Sequence, residues 1–221
     1  MKTKIDNSKY IFAVIFFTNI FIFKNAQCQT RSFEEGVIFL SEYIASEEFK
    51  NKTDEDVNLV DTLYLKALNF YDGNISEALL ALTFSTLPFN RMPVTIPLVK
   101  LKINLRLPSV DEKLFQQKNK NLPGLVYFDS NESGNQDKDK VAHFFGNAFL
   151  SYNVTFLNLS KFLGIFVEMF EETFKVSGKI DFRDLQTNYC GEFFGKSLRN
   201  QKDLYPSDFF KLYSLFYFSY N

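Results

Sequence analysis

The feature that most restricts the fold is a clean break at Asp72-Gly73-Asn74 between two apolar runs of helical period. Gly73 stops one helix, and Asn74 with Glu77 three residues on is the signature of a capping box that starts the next. The spacing predicts helices over Phe33 to Phe49, Val57 to Tyr71 and Ile75 to Leu87, the last two forming an antiparallel hairpin. No second copy of the hairpin follows at a fixed period, so a helical solenoid is excluded.

Beyond Asn90 the pattern changes. Leu101, Ile103, Leu105 and Leu107 alternate with Lys102, Asn104 and Arg106, a period of two that suits an extended segment with one wet face. Pro93, Pro97 and Pro108 bracket it and confine it to an edge. A polar stretch from Phe115 to Leu122 leads to the turn Pro123-Gly124 and the loop Asp129 to Lys138. Three further helices are predicted over Lys138 to Tyr152, Ser160 to Lys175 and Asp181 to Leu198, with Ser177-Gly178 stopping the second. The aromatic tail from Phe209 to Tyr220 packs against them, since no series of alternating ten-residue segments announces a barrel. The expected architecture is mainly α: a compact helical bundle with one short extended or edge-strand segment near residues 94–107.

The N-terminus reads as an export signal. Lys2, Lys4 and Lys9 precede an uncharged apolar run of 14 residues from Tyr10 to Phe23, and Ala26-Gln27-Cys28 ends in small residues before Gln29. Residues 1–28 are therefore expected to be a signal peptide and 29–221 a single mainly helical domain. The run falls short of the roughly 20 residues that span a bilayer, so an N-terminal anchor is the alternative, with lipidation of Cys28 a third. Four of the 25 basic and one of the 26 acidic residues lie in the first 28, which leaves a net charge of −4 and no nucleic-acid footprint. Cys190 is then the sole cysteine, so no internal disulfide can form, and its apolar neighbours make it a small core residue. The 28 Phe and absence of Trp put aromatic rings where Leu stands in other cores.

Against this apolar background two polar stripes stand out. Asp139, His143 and Asn147 recur every four residues on one helix, His143 being the only histidine; Asp184, Asn188, Gly191 and Gly195 share a face of another. The glycines allow a neighbouring backbone to come close, and the helix between them supplies Glu168 and Glu171. Asp139, His143, Glu168, Glu171, Asp184 and Asn188 are the candidate catalytic residues, expected to face a common interior pocket. One imidazole among carboxylates suits proton transfer or a hard metal ion. The competing reading is structural: Asp139 as the N-cap or first-turn acid of its helix, and Glu171 with Lys175 as an exposed ion pair.

The run Asp139-Lys140-x-x-His143-Phe144, then Glu168-x-x-Glu171, then Asp184-x-x-x-Asn188-x-x-Gly191-x-x-x-Gly195, resembles VanZ-like proteins and the related YfiM-like predicted lipoproteins of bacterial envelopes. The resemblance covers residues 138–198, and the Asp-Asn-Gly-Gly spacing is its most specific part. VanZ-like proteins generally carry Gln where Glu171 stands, and an Arg near Lys179. The resemblance implies a periplasmic or envelope-associated protein linked to glycopeptide tolerance or to lipid and wall metabolism, with a lipid or cell-wall precursor as partner and peripheral membrane contact. It implies no particular reaction or cofactor.

Asp129-x-Asn131-x-Ser133-Gly134 with Asp137 also follows the first positions of a calcium loop, but its twelfth position is Lys140 where a bidentate Glu is needed. The segment is therefore expected to be a polar loop. Together the sequence supports an exported envelope accessory or binding protein. The alternative is a hydrolase, metal-assisted or not, acting on a lipid-linked or wall substrate with His143 as general acid and base.

Overall fold

The computed structural model describes residues 31–96, 101–130, 137–154 and 182–212. The N-terminal segment read as an export signal, the helix expected over Ser160 to Lys175 with Glu168 and Glu171, and the last nine residues of the chain lie outside them. The chain is mainly α, with one two-stranded antiparallel sheet among the described residues. None of the described helices is long and apolar enough to cross a membrane.

Helix α1 (Phe33–Ala45) opens on a full capping box: Ser32 Oγ accepts the Glu35 N–H at 3.2 Å, and Glu35 accepts the Ser32 N–H at 2.7 Å. It stops earlier than the apolar period suggested. Ser46 is extended, donates to the Tyr43 carbonyl and accepts the Phe49 N–H, so it ends α1 and starts the one-turn α2 (Glu47–Lys50). Phe49 still reaches the core from the new direction.

Helix α3 (Asp56–Phe70) buries Val57, Val60, Leu63, Tyr64 and Ala67, a stripe at intervals of three and four. Its end is a Schellman turn. Asp72 (φ 51°) and Gly73 (φ 84°) are left-handed, and the Gly73 and Asp72 N–H groups return to the Leu68 and Asn69 carbonyls. Asn74 then accepts the Glu77 N–H and α4 (Ile75–Ser85) begins, which is the hairpin expected from sequence.

Strand β1 (Arg91–Ile96) pairs antiparallel with β2 (Leu101–Arg106), Arg91 opposite Arg106 and Ile96 opposite Leu101. The alternation located β2. The single extended segment expected near 94–107 is thus corrected to a hairpin, with Pro93 tolerated opposite Asn104 because both strands of a two-stranded sheet are edges.

The polar stretch after it is a helix, α5 (Glu112–Asn121), started by Asp111, whose carboxylate accepts the Lys113 and Leu114 N–H groups. Little apolar surface holds it. Gln117 and Asn121 donate to the Ala45 and Ile44 carbonyls at the end of α1. Lys118, 1% exposed, donates to the Ser85 and Leu87 carbonyls at 2.8 and 2.7 Å. One helix thereby supplies the donors that two others lack at their C-termini.

Helices α6 (Lys140–Asn153) and α7 (Phe182–Ser197) form the second half of the core. A Cβ on Gly191 would strike the Phe144 carbonyl, and one on Gly195 the Ala148 carbonyl and the Ser151 hydroxyl. The two backbones are therefore in contact along one turn. Phe144 sits at the crossing, with ring centres 5.3 Å from Phe194 and 4.5 Å from Phe210, and Tyr64 of α3 meets Phe194 edge-on at 5.4 Å. Burying each such ring stabilises the fold by about 1.5 to 3 kcal/mol. Phe209 and Phe210 belong to a helical run over 206–212, whose start is fixed by Asp61 accepting the Ser207 N–H at 2.8 Å. The first part of the tail thus packs inward as expected.

Candidate functional site

The glycine contact decides which polar side chains meet. With Phe144 and Ala148 pressed on Gly191 and Gly195, the adjoining α6 residues 139, 140, 143 and 147 lie against 184 and 188 of α7. Lys140 is the centre. Its side chain is 3% exposed, and its Nζ lies 2.7 Å from Asp184 Oδ1 and 3.2 Å from Asp139 Oδ1. The two carboxylate side chains are 28% and 25% exposed, so the ammonium is buried beneath them, and the Asp184 Oδ1 that meets it is buried as well.

His143 is next. Its Nδ1 lies 3.2 Å from Asn188 Oδ1, which also accepts from Asn147 Nδ2 at 2.7 Å, while the same Asn147 nitrogen donates to the His143 carbonyl at 2.8 Å. An oxygen opposite Nδ1 requires the ring proton there, so Asn188 orients the imidazole with Nε2 turned away from it. Asn147 and Asn188 are both buried and act as struts for the ring. One ligand-type atom each from Asp139, His143 and Asp184 lies within 4.8 Å of the others.

A second network braces the first. Arg183 bonds Asp137 at 3.1 and 3.3 Å and Asp129 at 2.7 Å. Asp137 is 1% exposed, and burial pushes its carboxyl above the usual range against the lowering influence of the Ser130 hydroxyl and the Arg183 guanidinium. Tyr127 donates to Thr187, whose hydroxyl donates to the Arg183 carbonyl. The two calcium-loop carboxylates that are described, Asp129 and Asp137, are thus already joined by a guanidinium, and the remaining positions of that loop, 131–136, lie outside the described residues. Cys190 is buried as expected, its thiol pushed up to about 11 by desolvation.

Asp139, His143, Asp184 and Asn188 come together as the spacing predicted; Glu168 and Glu171 lie outside the described residues. Two expectations change. The Asp139 and Asp184 side chains are 25% and 28% exposed rather than fully interior, because the touching backbones of α6 and α7 push them toward the edge of the contact. The expected alternative for Asp139, a cap on its own helix, is replaced by the ion pair to Lys140, since its side chain makes no bond to the first-turn backbone.

Sequence reasoning gave Lys140 and Arg183 no role in the site. The available signal was adjacency: each basic residue sits next to an aspartate on a helix whose other faces are apolar. No protein-family model, curated protein or solved structure matches the chain.

Proposed function

We propose that the protein is an exported accessory or binding protein of the bacterial cell envelope, with the α6–α7 polar cluster as the place where it engages a lipid-linked or cell-wall precursor. One observation carries the choice of site: Asp139, His143 and Asp184, all partly buried, are grouped above a buried Lys140 and held by helices in backbone contact. Side chains merely pinning helix register have no need of two grouped carboxylates and an oriented imidazole. The leader-like N-terminus supports export, and the resemblance of the Asp-Asn-Gly-Gly spacing to VanZ-like and YfiM-like proteins supports the envelope.

The test is complementation of a deletion strain under glycopeptide or detergent stress. The wild-type gene is expected to restore growth, and His143→Ala and Asp184→Asn, each folded and exported, to fail. Full rescue by both variants would contradict the placement of the function at this cluster. Intact mass of the fractionated protein tests export separately, with a chain beginning at Gln29 expected and an intact Met1 in the membrane fraction indicating an anchor.

A hydrolase is the second reading, favoured by the 4.8 Å grouping of an imidazole with two carboxylates. His143 would take a proton from water, and Lys140 would limit the build-up of negative charge. Phosphate release from a lipid pyrophosphate, lost in His143→Ala, would favour hydrolysis over binding.

A further inference from the structure

We propose that Asp139, His143 and Asp184 bind one divalent first-row transition-metal ion, Zn2+ or Mn2+, with Asn188 orienting the imidazole and Lys140 holding the two carboxylates in place. The proposal rests on the reading of the α6–α7 cluster as the functional site and adds the chemical class of what it takes.

Three observations carry it. The first is distance. Metal bonds of about 2.0 to 2.2 Å place ligand atoms roughly 3 to 4.4 Å apart, so a grouping within 4.8 Å closes on an ion by small side-chain rotations. The second is the division of labour at the carboxylates. Lys140 takes Oδ1 of both Asp139 and Asp184, and among the described residues nothing bonds the second oxygen of either. Each carboxylate is anchored through one atom, which leaves the other oxygen as the one that can turn toward an ion.

The third is the support of the imidazole. A metal-ligating histidine needs its other nitrogen protonated and held by an acceptor, and the buried Asn188 oxygen, 3.2 Å from Nδ1 and itself fixed by Asn147, supplies that. Coordination then falls to Nε2. One nitrogen and two carboxylate oxygens form a mixed donor set that suits zinc or manganese better than calcium, which takes oxygen alone. Three protein ligands leave the remaining positions to water or to an anionic group of a bound molecule.

The experiment uses the full chain without a histidine tag, titrated with ZnCl2, MnCl2 and CaCl2, followed by calorimetry and by long-range 1H–15N spectra of the imidazole. Because His143 is the only histidine, its ring signals report on this site alone. A stoichiometry of one is expected for Zn2+ or Mn2+. Zn2+ is expected to shift the Nε2 resonance and Mn2+ to broaden the ring signals, and His143→Ala or Asp184→Asn to weaken binding at least tenfold. Unchanged ring resonances at saturating Zn2+ and Mn2+ would overturn the proposal even if no variant folded. So would affinity unaltered in His143→Ala, or Ca2+ binding as tightly as Zn2+. A negative titration together with failed complementation by His143→Ala would remove the metal and leave the proposed function standing.

Discussion

Replacing Gly191 by alanine tests the helix contact on which the site depends. On an isolated helix the change would stabilise by about 1 kcal/mol, because alanine is the better helix former. Here the new Cβ meets the Phe144 carbonyl oxygen, carbon and Cα, all of them backbone, and no rotamer change can relieve the clash. Overpacking of that kind costs about 1 to 3 kcal/mol, and an obstruction made of backbone belongs at the upper end. A net destabilisation of about 1 to 2 kcal/mol is expected, or a fall in Tm of roughly 2 to 8 °C for a chain of this size. Gly146→Ala is the control on the opposite partner. Its Cβ meets only the Thr83 methyl at 3.3 Å, a side-chain atom that can give, so stability should hold within about 0.5 kcal/mol or rise. Urea and thermal unfolding of the two variants make the comparison. If Gly191→Ala proves as stable as wild type, the backbones are not in contact and the convergence of the polar side chains loses its basis.

Lys118 should leave a signature in pH. Burial lowers its ammonium from 10.5 to about 7, whereas the unfolded lysine keeps its proton up to the ordinary value. The unfolded chain therefore binds more protons between those limits, so this residue makes stability rise with pH from about 7 to 10.5. The difference between wild type and Lys118→Met, followed by urea unfolding across that range, should show the slope, and a flat difference would refute it. Asp184→Ala removes the nearer partner of the buried Lys140 and should cost about 1 to 3 kcal/mol, with much of the loss recovered in the double variant with Lys140→Met; simple additivity would contradict the pairing. Native Cys190, buried with its thiol raised to about 11, should resist alkylation at pH 8 and react fully in urea, as read by mass spectrometry.

What the sequence disclosed follows from where the physics is local. The turn at Asp72-Gly73-Asn74 and the alternation through Leu101, Ile103 and Leu105 are settled by neighbouring residues, and both are found in the fold. Helix α5 was not legible as a helix because it has only Phe115 and Lys118 buried, and its Gln117, Lys118, Asn119 and Asn121 side chains bond residues at least 31 positions away. The break at Ser46 was written locally, as a serine followed by Glu47 and Glu48, but the apolar period continued through it to Phe49 and concealed it. In the site, helical spacing placed Asp139 with His143 and Asp184 with Asn188, and the paired glycines brought the two stripes together. Lys140 at the centre was legible only in part: the adjacent Asp139 signals a charge pair, but nothing in the lysine's own segment says that Asp184 of another helix will bury it.

Helices α6 and α7 meet so closely that Asn188 fixes the ring of His143. Long-range 1H–15N spectra at neutral pH test it in the protein without added metal. The prediction is a single imidazole pattern with the proton on Nδ1, which Asn188→Ala converts to a tautomer mixture while the helical circular dichroism is unchanged. A proton on Nε2 in the wild type, or a pattern that Asn188→Ala leaves as it was, would contradict it.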